Sequence, residues 1–203
     1  MNEEAPLYGN EPTYIVEPPK NCPKVKIKKL HPNAVIPTKA TPQSIGYDLY
    51  VKQDICIEHT RQVIPLGFAI ELPDGIEAKI EPRSGFSLKG IEGFALKQGS
   101  NCEFGNGTLT LKDNAEEELW QRIDKAERFN ADVLVCKVDS DYRGEVGVII
   151  RNNEPDRHFL IAKGTRIAQM TFYPVVQFPG GFEVAEDLSE TERADGGFGH
   201  TGI

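Results

Sequence analysis

From Val25 onward the chain sustains almost no long periodic run. Apolar residues alternate with polar ones for a few positions and then meet a proline, a glycine or a pair of turn residues. Val25, Ile27 and Leu30 alternate with lysines, the pattern of an edge strand. Tyr47 to Val51, Arg61 to Leu66, Phe68 to Leu72 and Ala78 to Glu81 follow, punctuated by Pro65, Gly67, Pro73, Asp74 and Gly75. Val133 to Val138, Glu145 to Arg151, His158 to Ala162 and Ile167 to Tyr173 continue the rhythm. Segments this short cannot form stable helices, and each buries only one face. A chain built of them closes on itself as an all-β barrel or sandwich.

One stretch breaks the pattern. Ala115 to Phe129 reads as a helix, with Leu119, Ile123 and Ala126 on one stripe and Trp120 beside them. Asp113 or Asn114 supplies an N-cap, and Glu116, Glu117 and Glu118 fall where the helix dipole favours acids. Just before it, Asn106-Gly107 between Cys102–Phe104 and Thr108–Leu111 is a hairpin signal. Residues 1–23 hold Pro6, Pro12, Pro18, Pro19 and Pro23 among acidic and small polar residues, and are expected to be a disordered arm. Residues 193–203 are glycine-rich and form a flexible tail unless a ligand holds them. The barrel domain is therefore expected over 24–192.

Composition narrows the partners. The 203 residues carry a formal net charge of -8, with no basic run or face, which argues against direct nucleic-acid binding. An anionic ligand would have to be held by a few local Arg or Lys, by backbone amides and by a divalent cation. Cys22, Cys56, Cys102 and Cys136 are scattered without a CxxC pair, and the four histidines are equally dispersed, so a structural zinc site is not expected. No apolar run approaches the length of a membrane span, and the acidic N-terminus does not resemble a secretion signal. The expectation is a soluble intracellular protein, of cytoplasm or nucleus, in a reducing compartment.

Five segments in fixed order are more informative than any of these. They are Ala40 to Leu49 (ATPQSIGYDL), Pro82 to Phe86 (PRSGF), Val138 to Val146 (VDSDYRGEV), Gly164 to Met170 (GTRIAQM) and Arg193 to Gly202 (RADGGFGHTG). Alone, PRSG is a turn and GGFG a linker. Together they closely resemble the trimeric dUTPase family, over about residue 25 to residue 203. The resemblance implies a jelly-roll-like β-barrel, assembly as a homotrimer with shared active sites, and hydrolysis of dUTP to dUMP and pyrophosphate with Mg2+. It also implies the usual purpose of that reaction, limiting uracil in DNA and supplying dUMP for thymidylate synthesis.

The resemblance assigns roles residue by residue. Asp139 would be the general base that activates the attacking water, whereas alone it reads as a turn aspartate capping its own backbone. Tyr142 would pack against the deoxyribose and leave no room for a 2′-hydroxyl; its plain alternative is a core aromatic. The backbone of Lys137, Val138 and Asp139 would lie along the uracil edge. Arg83, Ser84 and Gly85 would form a phosphate-contacting turn, although a structural ion pair suits Arg83 nearly as well. Gln169 would hydrogen-bond to the phosphates and Arg166 would be structural. Asp48 would reach magnesium through water, because that ion keeps several waters and takes its direct ligands from phosphates. In the tail, Phe198 would stack on uracil and Arg193 pair with the γ-phosphate. Gly196, Gly197 and Gly199 would bring amides to the phosphates, with His200 and Thr201 adding side-chain donors.

Five departures from the family stand out. Cys136 replaces a glycine, and Lys137 a small or apolar residue. Residues 137 and 139 of one strand face the same side, so the Lys137 ammonium is expected to approach Asp139. Ala194 replaces a common glycine and His200 a common serine. The largest departure is roughly forty extra residues between the second and third segments, from about Glu92 to Asn130, expected to form a hairpin and a helix outside the barrel. This insertion and the acidic arm also suit a nucleotide-binding regulatory protein that docks a protein partner. The related dCTP deaminases share the fold, but Asp-Tyr-Arg-Gly at 141–144 with a complete terminal arm favours dUTP hydrolysis.

Overall fold

The computed structural model describes residues 24–57, 61–95, 102–105, 108–111, 126–154 and 156–195, with backbone alone for 102–111. In chain order the strands are β1 (Lys26–Lys29), β2 (Tyr47–Tyr50), β3 (Ile55–Ile57), β4 (Arg61–Pro65), β5 (Phe68–Glu71) and β6 (Ile76–Glu81). One helix, α1 (Ser84–Lys89), precedes β7 (Ile91–Ala95), β8 (Cys102–Gly105), β9 (Thr108–Leu111), β10 (Glu127–Phe129) and β11 (Ala131–Leu134). The last four strands are β12 (Cys136–Val138), β13 (Gly147–Asn152), β14 (Phe159–Ile161) and β15 (Arg166–Pro174). The fold is all-β, as the sequence pattern requires.

The pairings are antiparallel throughout. The main sheets run β10-β7-β14-β3, β11-β13-β4 and β12-β6-β15-β2, with β1 on β5 and the hairpin β8-β9 apart from them. β13 alternates in burial as a half-buried strand should, with Val148, Ile150 and Asn152 inward. β3 and β14, short apolar triplets, are buried at every position. β1 is exposed at all four of its residues, and its lysines blunt the edge. The β4–β5 turn needs Gly67, whose φ is +82° and whose place would otherwise drive a Cβ into His31 and Lys52 at 2.9 Å each.

Three expectations change on contact with the structure. The run Val133 to Val138 is two strands in different sheets, because Val133 and Val138 both face the core although five residues apart. An uninterrupted strand would turn one of them outward, and the break at exposed Val135 resets the register. The end of the expected helix is also a strand: Glu127–Phe129 pairs with Gly93, Glu92 and Ile91 of β7. Phe129 is 1% exposed and stacks on Phe159, ring centroids 4.2 Å apart, so a core partner overrides the helical stripe that included Ala126. Leu119, Trp120 and Ile123 lie outside the described residues. Finally, the PRSG turn runs straight into α1, held down by buried Phe86. The hairpin expected around Asn106-Gly107 is present as β8 and β9.

Candidate active site

β6 organises the chemistry, with a separate group of side chains at each end. At its C-terminal end, the register sets Gln169 opposite both Glu81 and Asp48. A cleft of about 550 Å³ opens there, lined by Gly46, Asp48, Glu81, Arg83, Ser84, Gly85 and Gln169 among others. Asp48 is 6% exposed and fully engaged: Arg83 Nε lies 2.7 Å from one carboxylate oxygen and Arg166 Nη1 3.2 Å from the other. Arg83 therefore acts as a structural cation that also borders the cleft, and Arg166 is its second arm. Gln169 Nε2 donates to the Pro82 carbonyl at 3.3 Å, holding the side chain against the turn that carries Arg83. Gly46 makes room for it, since a Cβ there would sit 2.6 Å from Gln169 Oε1. At Gly85 an added Cβ would meet nothing within 4 Å. The chain's own packing therefore does not require that glycine.

At the other end of β6 lies the turn after β12. Val138 pairs with Ala78, which puts Asp139 level with Glu77. Asp139, Asp141, Asp74, Glu77 and Gln177 line a second cleft of about 620 Å³. The turn is closed by Tyr142 N–H donating to the Asp139 carbonyl at 3.1 Å, and by Arg143 Nη1 donating to the Ser140 carbonyl at 2.6 Å. Tyr142 folds back over Gly144, where a Cβ would lie 2.2 Å from its hydroxyl, and that hydroxyl donates to the Glu145 carbonyl at 3.1 Å. The ring is 46% exposed, so Tyr142 is a surface aromatic with its face open, not a core residue. β12 is the edge strand of its sheet, which leaves the backbone groups on its outer side, at alternate residues, unused by the ladder.

The Lys137 expectation is corrected here. Its ammonium turns to Glu77 Oε2 at 2.6 Å, not to Asp139. The reason is cross-strand geometry: Glu77 stands diagonally across the β12–β6 ladder, whereas Asp139 is already in the turn and off the strand's alternation. Cys136, beside it, is half-buried, and burial pushes its thiol above the ordinary cysteine range.

These two groups are far apart. Asp139 is level with residue 77, and Arg83 lies six positions further along (83 − 77), so about 20 Å separates them at roughly 3.3 Å per strand residue. Beyond Pro174 the chain forms no strand as far as Asp195, and it exposes Val176, Phe178, Phe182, Val184 and Leu188. Arg193 is exposed near the end of this arm. Ala194 has a φ of +43°, the left-handed conformation that explains a glycine at this position in the family. Gly196, Gly197, Phe198, Gly199, His200 and Thr201 lie outside the described residues.

A protein-family model described as dUTPase matches residues 32–96 and 129–202, well over half of the chain. The chain belongs to the dUTPase family. A deoxyuridine 5'-triphosphate nucleotidohydrolase of Hydrogenobaculum is 36% identical over 89% of this chain and 99% of its own length. That of Syntrophotalea carbinolica is 33% identical over 88% and 97%, and that of rice 32% over 93% and 89%. A Staphylococcus bacteriophage 80alpha dUTPase has the same fold, with a TM-score of 0.63 at 22% identity over 89% of this chain and 99% of that one. The family model leaves 97–128 unmatched, narrower than the span expected from sequence; β7 and, of β10, only Phe129 lie on the matched side. Three residues escaped the sequence reading: Gly46, Glu81 and Glu145. Gly46 carried a signal, a glycine two residues before Asp48; the other two are recognised only through what they touch.

Proposed function

We propose that the chain hydrolyses dUTP to dUMP and pyrophosphate in sites built by three copies of itself. Each site joins the Arg83 cleft of one copy, the Asp139 turn of a second and the C-terminal arm of a third. The separation of about 20 Å between Asp139 and Arg83 along β6 carries this reading, because the base must sit within a water's reach of the phosphorus that the phosphate turn helps hold, and within one chain the two lie too far apart for that. The uncovered apolar side chains from Val176 to Leu188 support it, since they need a neighbour to bury them.

Within the site, Asp139 accepts a proton from a water that attacks the α-phosphorus, and the bond from that phosphorus to the bridging oxygen breaks as pyrophosphate leaves. Ser84, the Gly85 amide and Gln169 hold phosphate oxygens. The outer edge of β12 at Lys137 and Val138 reads uracil, and Tyr142 presses on the deoxyribose. Arg193, Gly197, Phe198, Gly199, His200 and Thr201 close over the nucleotide and exclude water. Magnesium fits as an ion carried in on the triphosphate. Among the described residues no group of three His, Cys, Asp or Glu forms a cage, and the Asp48 oxygens are both held by arginines. Glu81, which borders the same cleft, is itself paired with Lys79, so an ion there would take its direct ligands from phosphates and water. Bound there, it screens the phosphate charge.

Subunit complementation tests the shared site. Asp139→Asn and Gln169→Ala are each expected to be nearly inert alone. Co-refolded together, they are expected to regain pyrophosphate release, because a mixed trimer contains sites with both residues intact. No regain from mixed trimers would place both residues in one chain's site and refute the arrangement.

A further inference from the structure

We infer that Glu145 is a positioning residue for Tyr142, and that its clamp on Lys52 and Gly67 sets how strictly the site rejects a 2′-hydroxyl. The inference rests on the reading of Tyr142 as the residue that packs against deoxyribose.

The turn from Asp139 to Gly144 is bonded mainly to itself. Tyr142 N–H and the Arg143 guanidinium both donate to carbonyls within it, at Asp139, Ser140 and Tyr142. Such bonds fix the turn's shape; its place on the barrel is set at one end by the β12–β6 ladder, and at the other by Val146 N–H on the Phe68 carbonyl and by the Glu145 side chain. Its Oε1 accepts from Lys52 Nζ at 2.7 Å and from the Gly67 amide at 2.6 Å. Both donors belong to rigid neighbours: the Lys52 side chain is 12% exposed, just past β2, and Gly67 is the left-handed residue between β4 and β5. Two charge-assisted bonds to one oxygen, from directions set by two different turns, leave the carboxylate a single position. Burial alone would raise the Glu145 carboxyl; the bonds from Lys52 and Gly67 outweigh it and hold the group below the ordinary carboxylate range.

The same residue holds Tyr142 through its main chain. The Tyr142 hydroxyl donates to the Glu145 carbonyl, and the ring reaches it only because Gly144 has no side chain. A hydroxyl fastened to that carbonyl moves when the peptide moves, and the peptide is held by Val146 N–H donating to the Phe68 carbonyl at 2.8 Å together with the side-chain clamp. Discrimination against a single oxygen atom depends on ring placement to within a fraction of an ångström, so loosening the clamp enlarges the space beside the sugar.

The test compares kcat/KM for dUTP and UTP in full-length Glu145→Gln, Lys52→Met, Lys52→Arg, Tyr142→Phe, Tyr142→Ala and the double variant Glu145→Gln/Tyr142→Phe. Glu145→Gln and Lys52→Met are expected to lower the dUTP preference by about tenfold, as kcat/KM for UTP rises toward that for dUTP. Lys52→Arg, which keeps the charge, is expected to retain most of the preference. The double variant should lose no more than Tyr142→Phe alone, because both changes release one contact. An unchanged preference in folded Lys52→Met or Glu145→Gln, with the preference lost in Tyr142→Ala, would overturn the inference and leave the sugar role of Tyr142 standing. A preference that survives Tyr142→Ala would instead remove the reading on which the inference rests. Should Glu145→Gln fail to fold, Lys52→Met decides alone, since a methionine fills the same space.

Discussion

The two ends of β6 are built on different principles. At the Arg83 end, charged side chains from two strands and a turn bind one another: Asp48 from β2, Arg166 from β15 and Arg83 after β6. At the Asp139 end, a turn closes mostly on its own backbone and is attached at its two ends, by the β12–β6 ladder and by the Val146–Phe68 bond, with one carboxylate, Glu145, as its side-chain anchor. The first is a scaffold whose cleft exists before any ligand arrives. The second is a presented loop with an exposed tyrosine and an edge strand, which suits the base-reading role proposed for it. Phosphate recognition needs fixed donors for a spread of charge, whereas base recognition needs a backbone edge that nothing else uses. Neither end can be extended to do the other's work without losing what suits it.

The largest expected effect lies at the loop end. Asp139→Asn should lower turnover by about 10²–10⁴-fold while leaving thermal unfolding of the free protein unmoved, because the residue is outside the core and supports no described ion pair. Pyrophosphate release measured beside a melting curve checks it. Turnover near the normal rate would dissolve the contrast between scaffold and loop. At the scaffold end, Asp48→Ala should behave in the opposite way. It leaves Arg83 and Arg166 close together with no counter-charge, and should cost about 2 kcal/mol in urea unfolding, less than a fully buried pair because both arginines are part-exposed. Stability equal to that of the parent chain would make the two ends alike.

The smallest effect is in pH. Glu145 is held below its ordinary value of 4.5, so its contribution is complete above that pH and is lost as the pH falls through the lower folded value. Unfolding free energy measured from pH 7 down to pH 3 should therefore decline less steeply in Glu145→Gln than in the parent. The difference should be a fraction of a kcal/mol, because the carboxylate is about one-third exposed. Equal slopes would mean that the clamp adds nothing to stability.

The strands were legible because their alternation is local. β4, β5, β13 and β15 fall within a residue or two of the runs that mark them, and the expected hairpin is there. What the sequence hid was decided at a distance. The pattern Leu119, Ile123, Ala126 points to a helix continuing through Phe129, but Phe159, thirty residues later, claims that ring for the core. Lys137 is two residues from Asp139 in the chain and pairs instead with Glu77, sixty residues earlier. Asp48 carries no local hint that two arginines from other segments occupy its oxygens. The order of the five segments identifies the family at once. That the segments lie at opposite ends of one strand emerges only from the register of β12 on β6.

The antiparallel neck formed by β7 and β10 has a consequence for how such a barrel changes over generations. Ile91 is bonded opposite Phe129 and Gly93 opposite Glu127, and β7 continues onto β14. The chain therefore leaves the barrel and returns to it at the same doorway, framed by bonds that do not depend on what lies beyond. Closing a loop whose ends are already held grows costlier only with the logarithm of its length, about 0.6 kcal/mol for each doubling. Residues added beyond the doorway therefore add little to the cost of closing it. A lineage is free to lengthen, replace or discard them, trying new surfaces on a machine that goes on working.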